Sequence, residues 1–153
     1  MKRNKIYYLA HPIGSRHEVR SWELEFEGIY PDITLINPFY DNMPGSNRED
    51  IQKMDAGEMT RFDVIDPYAI VDHDLRTVAY CDGIIAIIDG DRSYGTIFEI
   101  AEARRIGLKV YIICTNGMHK HPWLLVYADE VFDSYAAFEK AWASSKTFET
   151  LFF

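Results

Sequence analysis

The sequence predicts one doubly wound α/β domain, a parallel sheet covered by helices on both faces. Three observations carry this. Short apolar runs alternate with stretches of helical periodicity from Ile6 to Ser145. The run Gly83 to Asp89 (GIIAIID) is apolar on both faces, as a central parallel strand is. The strand-like runs also end in clusters of Gly, Pro, Asn or Asp, the residues that punctuate turns.

Taken in order, Ile6 to Ala10 reads as a buried first strand, closed by His11-Pro12-Ile13-Gly14. Val19, Trp22 and Phe26 follow at helical spacing up to Gly28. Ile33 to Ile36 is a second strand, stopped by Asn37-Pro38. Residues 39–62 are irregular. They hold a turn cluster, Asn42-Met43-Pro44-Gly45-Ser46, and a polar stretch from Arg48 to Arg61 that reads as a helix with a weak apolar face. A helix from about Pro67 to Cys81 leads into Gly83–Asp89. A Gly-rich turn, a helix from about Thr96 to Ile106 and the apolar strand Val110 to Cys114 come next. Val131-Phe132 reads as a last short strand, and Ser134 to Ser145 as a closing helix capped by Ser134. Length and composition mark residues 42–66 as a lid over a substrate. Residues 147–153 form an apolar tail whose place the pattern does not decide. No repeat, low-complexity tract or linker interrupts the chain, so residues 1–153 are read as a single domain.

A chain of 153 residues that is 48% hydrophobic and 14% aromatic can build a real core. Its formal net charge of −8, with no block of Lys or Arg, argues against polymeric nucleic acid as a partner. Cys81 and Cys114 lie in apolar runs without the spacing of a metal clip, and two cysteines do not make a disulfide framework. No histidine pair has metal-site spacing, and His17, His73, His119 and His121 read as surface residues. There is no Walker A sequence and no GxGxxG, so neither a metal nor a cofactor is expected. The apolar run after Lys5 is too short for a signal h-region or a membrane span, which points to a cytoplasmic protein without a membrane partner.

In open α/β sheets, ligands bind outside the carboxyl ends of the strands, where strand order reverses. Those ends carry His11 to Arg16, Asn37 to Asp41 and Asp89 to Thr96. Gly95-Thr96 opens a helix whose free N–H groups suit an anion, with Ser93 offering a hydroxyl. Glu99 falls in the first turn, where an acid complements the helix dipole. Ile97, Phe98, Ile100 and Ala101 make that turn unusually apolar, however, and point to a buried carboxylate with a task. Asp74 interrupts the apolar stripe Ile70, Thr77, Val78 and Cys81. Either it is held by backbone, Arg16 or Arg20, or it is the second of two poorly solvated carboxylates, the pair that glycosidic-bond chemistry uses.

The run Ile-Tyr-Tyr-Leu-Ala-His-Pro-Ile, then Asn37-Pro38-Phe39, Asp74-Leu75, Cys81-Asp82-Gly83-Ile84-Ile85-Ala86 and Gly95-Thr96-x-x-Glu99-Ile100-x-x-Ala103 resemble the nucleoside 2-deoxyribosyltransferase family. The likeness spans about residues 5–133. It implies a flavodoxin-like, five-stranded parallel sheet of order 2-1-3-4-5 and a homo-oligomer that shares active-site residues between subunits. It also implies Glu99 as nucleophile, Asp74 as the residue contacting or assisting the departing base, and an aromatic contact at Tyr8. Tyr8, His11, Ile13, Arg16, Asp41, Ser93, Gly95 and Thr96 are the expected substrate contacts, catalysis falls to Glu99 and Asp74, and the ligand is a nucleoside or nucleotide with an acceptor base. Ser93 stands where the transferases tend to carry Asp, as in the related 2'-deoxynucleoside 5'-monophosphate N-hydrolases, and Ser15-Arg16 resembles their first loop. Trp123 replaces the partner-subunit Asn or Ser of the transferases. Transfer to a second base and hydrolysis of a monophosphate are the two enzymatic readings. A non-catalytic nucleotide sensor and a structural subunit are the rivals from other classes.

Overall fold

In the computed structural model, residues 4–41, 46–60, 63 and 66–152 are described, with side chains of the closing helix described as far as Ser145. Five strands, β1 (Lys5–Ala10), β2 (Ile33–Ile36), β3 (Gly83–Ile88), β4 (Lys109–Cys114) and β5 (Glu130–Phe132), form one all-parallel sheet of order 2-1-3-4-5. This is the order that the resemblance implies. Strand parity divides the core in two. Tyr7, Leu9, Ile85, Ile87 and Ile113 face α1 (Arg16–Ile29) and α6 (Tyr135–Phe152), meeting Val19, Trp22, Phe26, Phe138 and Trp142. Tyr8, Ala10, Ile84, Ala86, Ile112 and Cys114 face the other way, onto Val78 of α3 (Pro67–Tyr80) and Ile100 and Ala103 of α4 (Tyr94–Arg105).

Gly83 is the one strand position where a side chain has no room. A Cβ there would lie 2.6 Å from Tyr7 Cε1 and 2.9 Å from the Lys109 carbonyl oxygen, which belongs to backbone and cannot swing aside. We expect Gly83→Ala to lower stability by about 1–3 kcal/mol. Gly28→Ala serves as the control. That site is inside α1 with nothing within 4 Å of the added methyl, and it should gain about 0.5–1 kcal/mol. Urea midpoints decide it, and an unchanged midpoint for Gly83→Ala would mean that β1 and β4 part freely around the strand.

Several boundaries differ from expectation, each for a local reason. The helix α4 begins two residues early, because Ser93 is its N-cap: the Thr96 N–H donates to Ser93 Oγ at 3.1 Å. The polar stretch after Asn47 is helical only over α2 (Arg48–Asp55), with Gly57 at positive φ soon after its end. A six-residue helix, α5 (Pro122–Tyr127), escaped the sequence reading, being too short to show a period. It starts on His121-Pro122, where the Trp123 N–H donates to His121 Nδ1. Ser134 caps α6 as expected, accepting from the Ala137 N–H, but the helix continues to Phe152. The turn cluster at residues 42–45 and part of the 42–66 lid lie outside the described residues. Among those described, no helix is long and apolar enough to cross a membrane.

Candidate active site

The order 2-1-3-4-5 places the switch point between β1 and β3, and a cavity of about 200 Å³ opens there. Tyr8, His11 and Ile13 come to it from β1 and its loop, Pro38 and Phe39 from the end of β2. Asn47, Asp50, Ile51 and Met54 reach it from α2, Ile70 and Asp74 from α3, and Ser93, Gly95, Thr96 and Glu99 from α4. Eight of these residues were expected from sequence: Tyr8, His11, Ile13, Asp74, Ser93, Gly95, Thr96 and Glu99. On its outer side the cavity adjoins a wide groove of about 990 Å³ among α3, α4 and α5, walled by Val71, Leu75, Phe98, Val126 and Tyr127. Asp74, Gly95 and Glu99 line both spaces.

Glu99 is the sixth residue of α4, not a first-turn residue, so complementing the helix dipole does not account for it. The N-cap at Ser93 starts the helix early and carries Glu99 one turn inward. It is 8% exposed, and burial pushes its carboxyl up to about 8; the nearby Tyr8 hydroxyl counters part of that rise and the charge of Asp74 adds to it. Neither Glu99 Oε2 nor Tyr8 Oη makes a hydrogen bond of ordinary geometry, although both are buried. Burial, with Glu99 and Asp74 nearby, keeps Tyr8 firmly a phenol.

Asp74 is held by neither Arg16 nor Arg20. His73 Nδ1 lies 3.3 Å from its Oδ1, and Asn47 Nδ2 donates to its Oδ2 at 3.5 Å. Burial raises the Asp74 carboxyl above the ordinary range and these two partners pull the other way. His73, expected on the surface, is mostly covered. Thr77 Oγ1 donates to the His73 carbonyl one turn on, helping to fix that part of α3. Asn47 is the functional candidate that the sequence reading missed. It precedes α2 by one residue, and only the folded chain shows that it reaches Asp74 on α3.

Two expected contacts do not line the cavity. Arg16 is drawn away, its Nη2 donating to Asp55 Oδ1 and its Nη1 to the Ile13 carbonyl. Asp41 accepts the Asn37 N–H at 2.6 Å and closes the loop after β2. Ser93 does line the cavity, but its hydroxyl is engaged with the Thr96 N–H and with Thr96 Oγ1 at 2.7 Å. The described lining therefore holds three carboxyls, Asp50, Asp74 and Glu99, and no Lys or Arg. No group of three or more His, Cys, Asp or Glu side chains among the described residues is arranged to hold a metal ion.

No protein-family model matches the chain, and no curated protein does. The solved structure of a 2-deoxyribosyltransferase from Bacillus psychrosaccharolyticus superposes with a TM-score of 0.60 at 17% identity, over 86% of this chain and 88% of that one. At that identity the likeness establishes a shared fold.

Proposed function

We propose that this chain is an enzyme that breaks the N-glycosidic bond of a nucleoside and passes the 2-deoxyribosyl group to a second base. The observation that carries the reading is the pair of poorly solvated carboxyls, Glu99 and Asp74, lining one cavity at the switch point beside the unpartnered Tyr8 hydroxyl. Ionised Glu99 attacks C1' of the sugar. The electron pair of the C1'–N bond leaves with the base, and the Asp74 carboxyl supplies the proton the base takes up. In the second half the acceptor nitrogen attacks C1', its proton returns to Asp74, and the Glu99 carboxylate is released. Tyr8 donates to the Glu99 carboxylate or to the ring oxygen. The fold shared with a deoxyribosyltransferase agrees with this assignment.

The charge of the lining favours an uncharged nucleoside over a 5'-monophosphate. A phosphate dianion would enter beside three carboxyls with no Lys or Arg in the described lining of the cavity, and Arg16 is committed to Asp55. Hydrolysis of a monophosphate is the second reading. It draws on the N-terminus of α4, which opens at the cavity through Ser93, Gly95 and Thr96. A site shared with a second subunit is also part of the proposal, because the groove beside Glu99 exposes Tyr94, Phe98 and Val126.

Chromatography of the protein incubated with deoxynucleosides or their 5'-monophosphates, each with and without a free base, separates these outcomes. We expect a new nucleoside to form from free deoxynucleosides when an acceptor base is present. Base release from monophosphates alone would replace transfer with hydrolysis, and no turnover of any substrate would sink the enzymatic reading.

A further inference from the structure

We propose that His11 sets specificity in the cleft: it is a fixed Nδ1–H tautomer whose Nε2 accepts a hydrogen bond from an N–H or O–H of the ligand. This rests on the cleft being a nucleoside site, and it says which nucleosides the site takes.

The tautomer follows from one contact. His11 Nδ1 lies 2.9 Å from the Leu9 carbonyl oxygen, which only accepts, so the ring proton is on Nδ1. Phe39 meets the ring edge-on, with centroids 4.9 Å apart and planes at 83°, and holds it in that orientation. A ring flip would break the Leu9 bond. The side chain is 3% exposed, and burial holds the imidazole down at about 4, so near neutral pH Nε2 keeps its lone pair. His11 lines the cavity, and its Nε2 is buried with no hydrogen-bond partner in the protein. Every other acidic or phenolic group at the site can serve as donor in one of its protonation states. Nε2 of a neutral, Nδ1-protonated ring can only accept. A ligand that presents a donor there satisfies it, and one that does not leaves it stranded against apolar surface.

Two parts of a nucleoside offer such a donor, an exocyclic amine on the base and a hydroxyl on the sugar. Deoxyadenosine, its analogue lacking the 6-amino group, and its 3'-deoxy and 5'-deoxy analogues separate them. Affinities are measured on the full chain and on His11→Phe, which keeps an aromatic ring against Phe39, and His11→Asn, which keeps an acceptor. We expect the unaltered protein to bind one donor-deleted analogue about 10- to 100-fold more weakly than deoxyadenosine. His11→Phe should lose that discrimination while His11→Asn keeps part of it. Should His11→Phe fail to fold, ¹⁵N spectra of the unaltered protein give the same answer: the Nε2 resonance moves with deoxyadenosine and stays put with the decisive analogue. Equal binding of all four ligands, or discrimination unchanged in His11→Phe, or an Nε2 resonance indifferent to the donor, overturns the assignment of His11 and leaves the proposed reaction standing. Failure of every nucleoside to bind removes both.

Discussion

Glu99→Gln should bind nucleosides and turn over none of them, with kcat reduced by at least about 10³-fold. The amide matches the carboxyl in shape and can still meet the Tyr8 hydroxyl, but it has no charge with which to attack C1'. Equilibrium binding beside single-turnover kinetics checks both halves of the expectation. A variant that retained a tenth of the activity would exclude Glu99 as nucleophile. The unaltered protein carries a matching pH signature. The carboxyl titrates at about 8 in the empty cleft, so with a base that needs no proton to leave, kcat/KM should rise with pH and level off above about 8. With ordinary bases, which also need a proton on Asp74, it should fall at high pH. Stability should run the other way. The native state holds a proton that the unfolded chain, titrating near 4.5, has already released, so this group makes the fold less stable as pH climbs from about 4.5 to 8. Glu99→Gln removes that slope. The share contributed by buried Glu23, which titrates at about 7, remains in the variant over its own window of about 4.5 to 7.

Asp74→Asn should slow turnover by about 10²- to 10⁴-fold for ordinary bases, the usual loss when a general acid is removed. The Asn side chain preserves the contact with Asn47 but cannot deliver a proton. A nucleoside whose base already bears a fixed positive charge needs no proton to leave, and the variant should cleave it nearly as fast as the unaltered protein does. Equal losses for both substrates would make Asp74 a binding or positioning residue only. His73→Phe gives a useful companion measurement. If the imidazole steadies the Asp74 carboxylate, its removal should shift the limb that reports Asp74 to higher pH without touching the response to leaving group.

The central strands were legible because burial on both faces leaves an uninterrupted apolar run, as in Gly83 to Ile88. Glu99 and Asp74 were legible for the opposite reason, each being a charge where local pattern called for an apolar residue. Asn47 left no such mark. A polar residue in a polar stretch looks solvated until its side chain is seen against Asp74. Arg16 and Asp41 lie at strand ends, as expected, but outside the cavity lining, because Asp55 and the Asn37 N–H engage them. Loop position is readable from the chain; which partner wins a charged side chain is decided by tertiary contacts up to 39 residues away. Ser93 combined both effects, since a residue suited to an anion is equally suited to capping a helix.

The strand order also has a kinetic meaning. The first strand synthesised lies inside the sheet, and it must wait for β3, with Tyr8 pairing Ile84 across 76 positions, before its second edge is covered. Tyr8, Asn47 and Asp74 precede β3 and Glu99 follows it on α4, so no fragment ending before α4 can hold the complete site. Regain of turnover after dilution from denaturant would therefore clock completion of the sheet centre itself, and should lag behind the return of helical signal from α1.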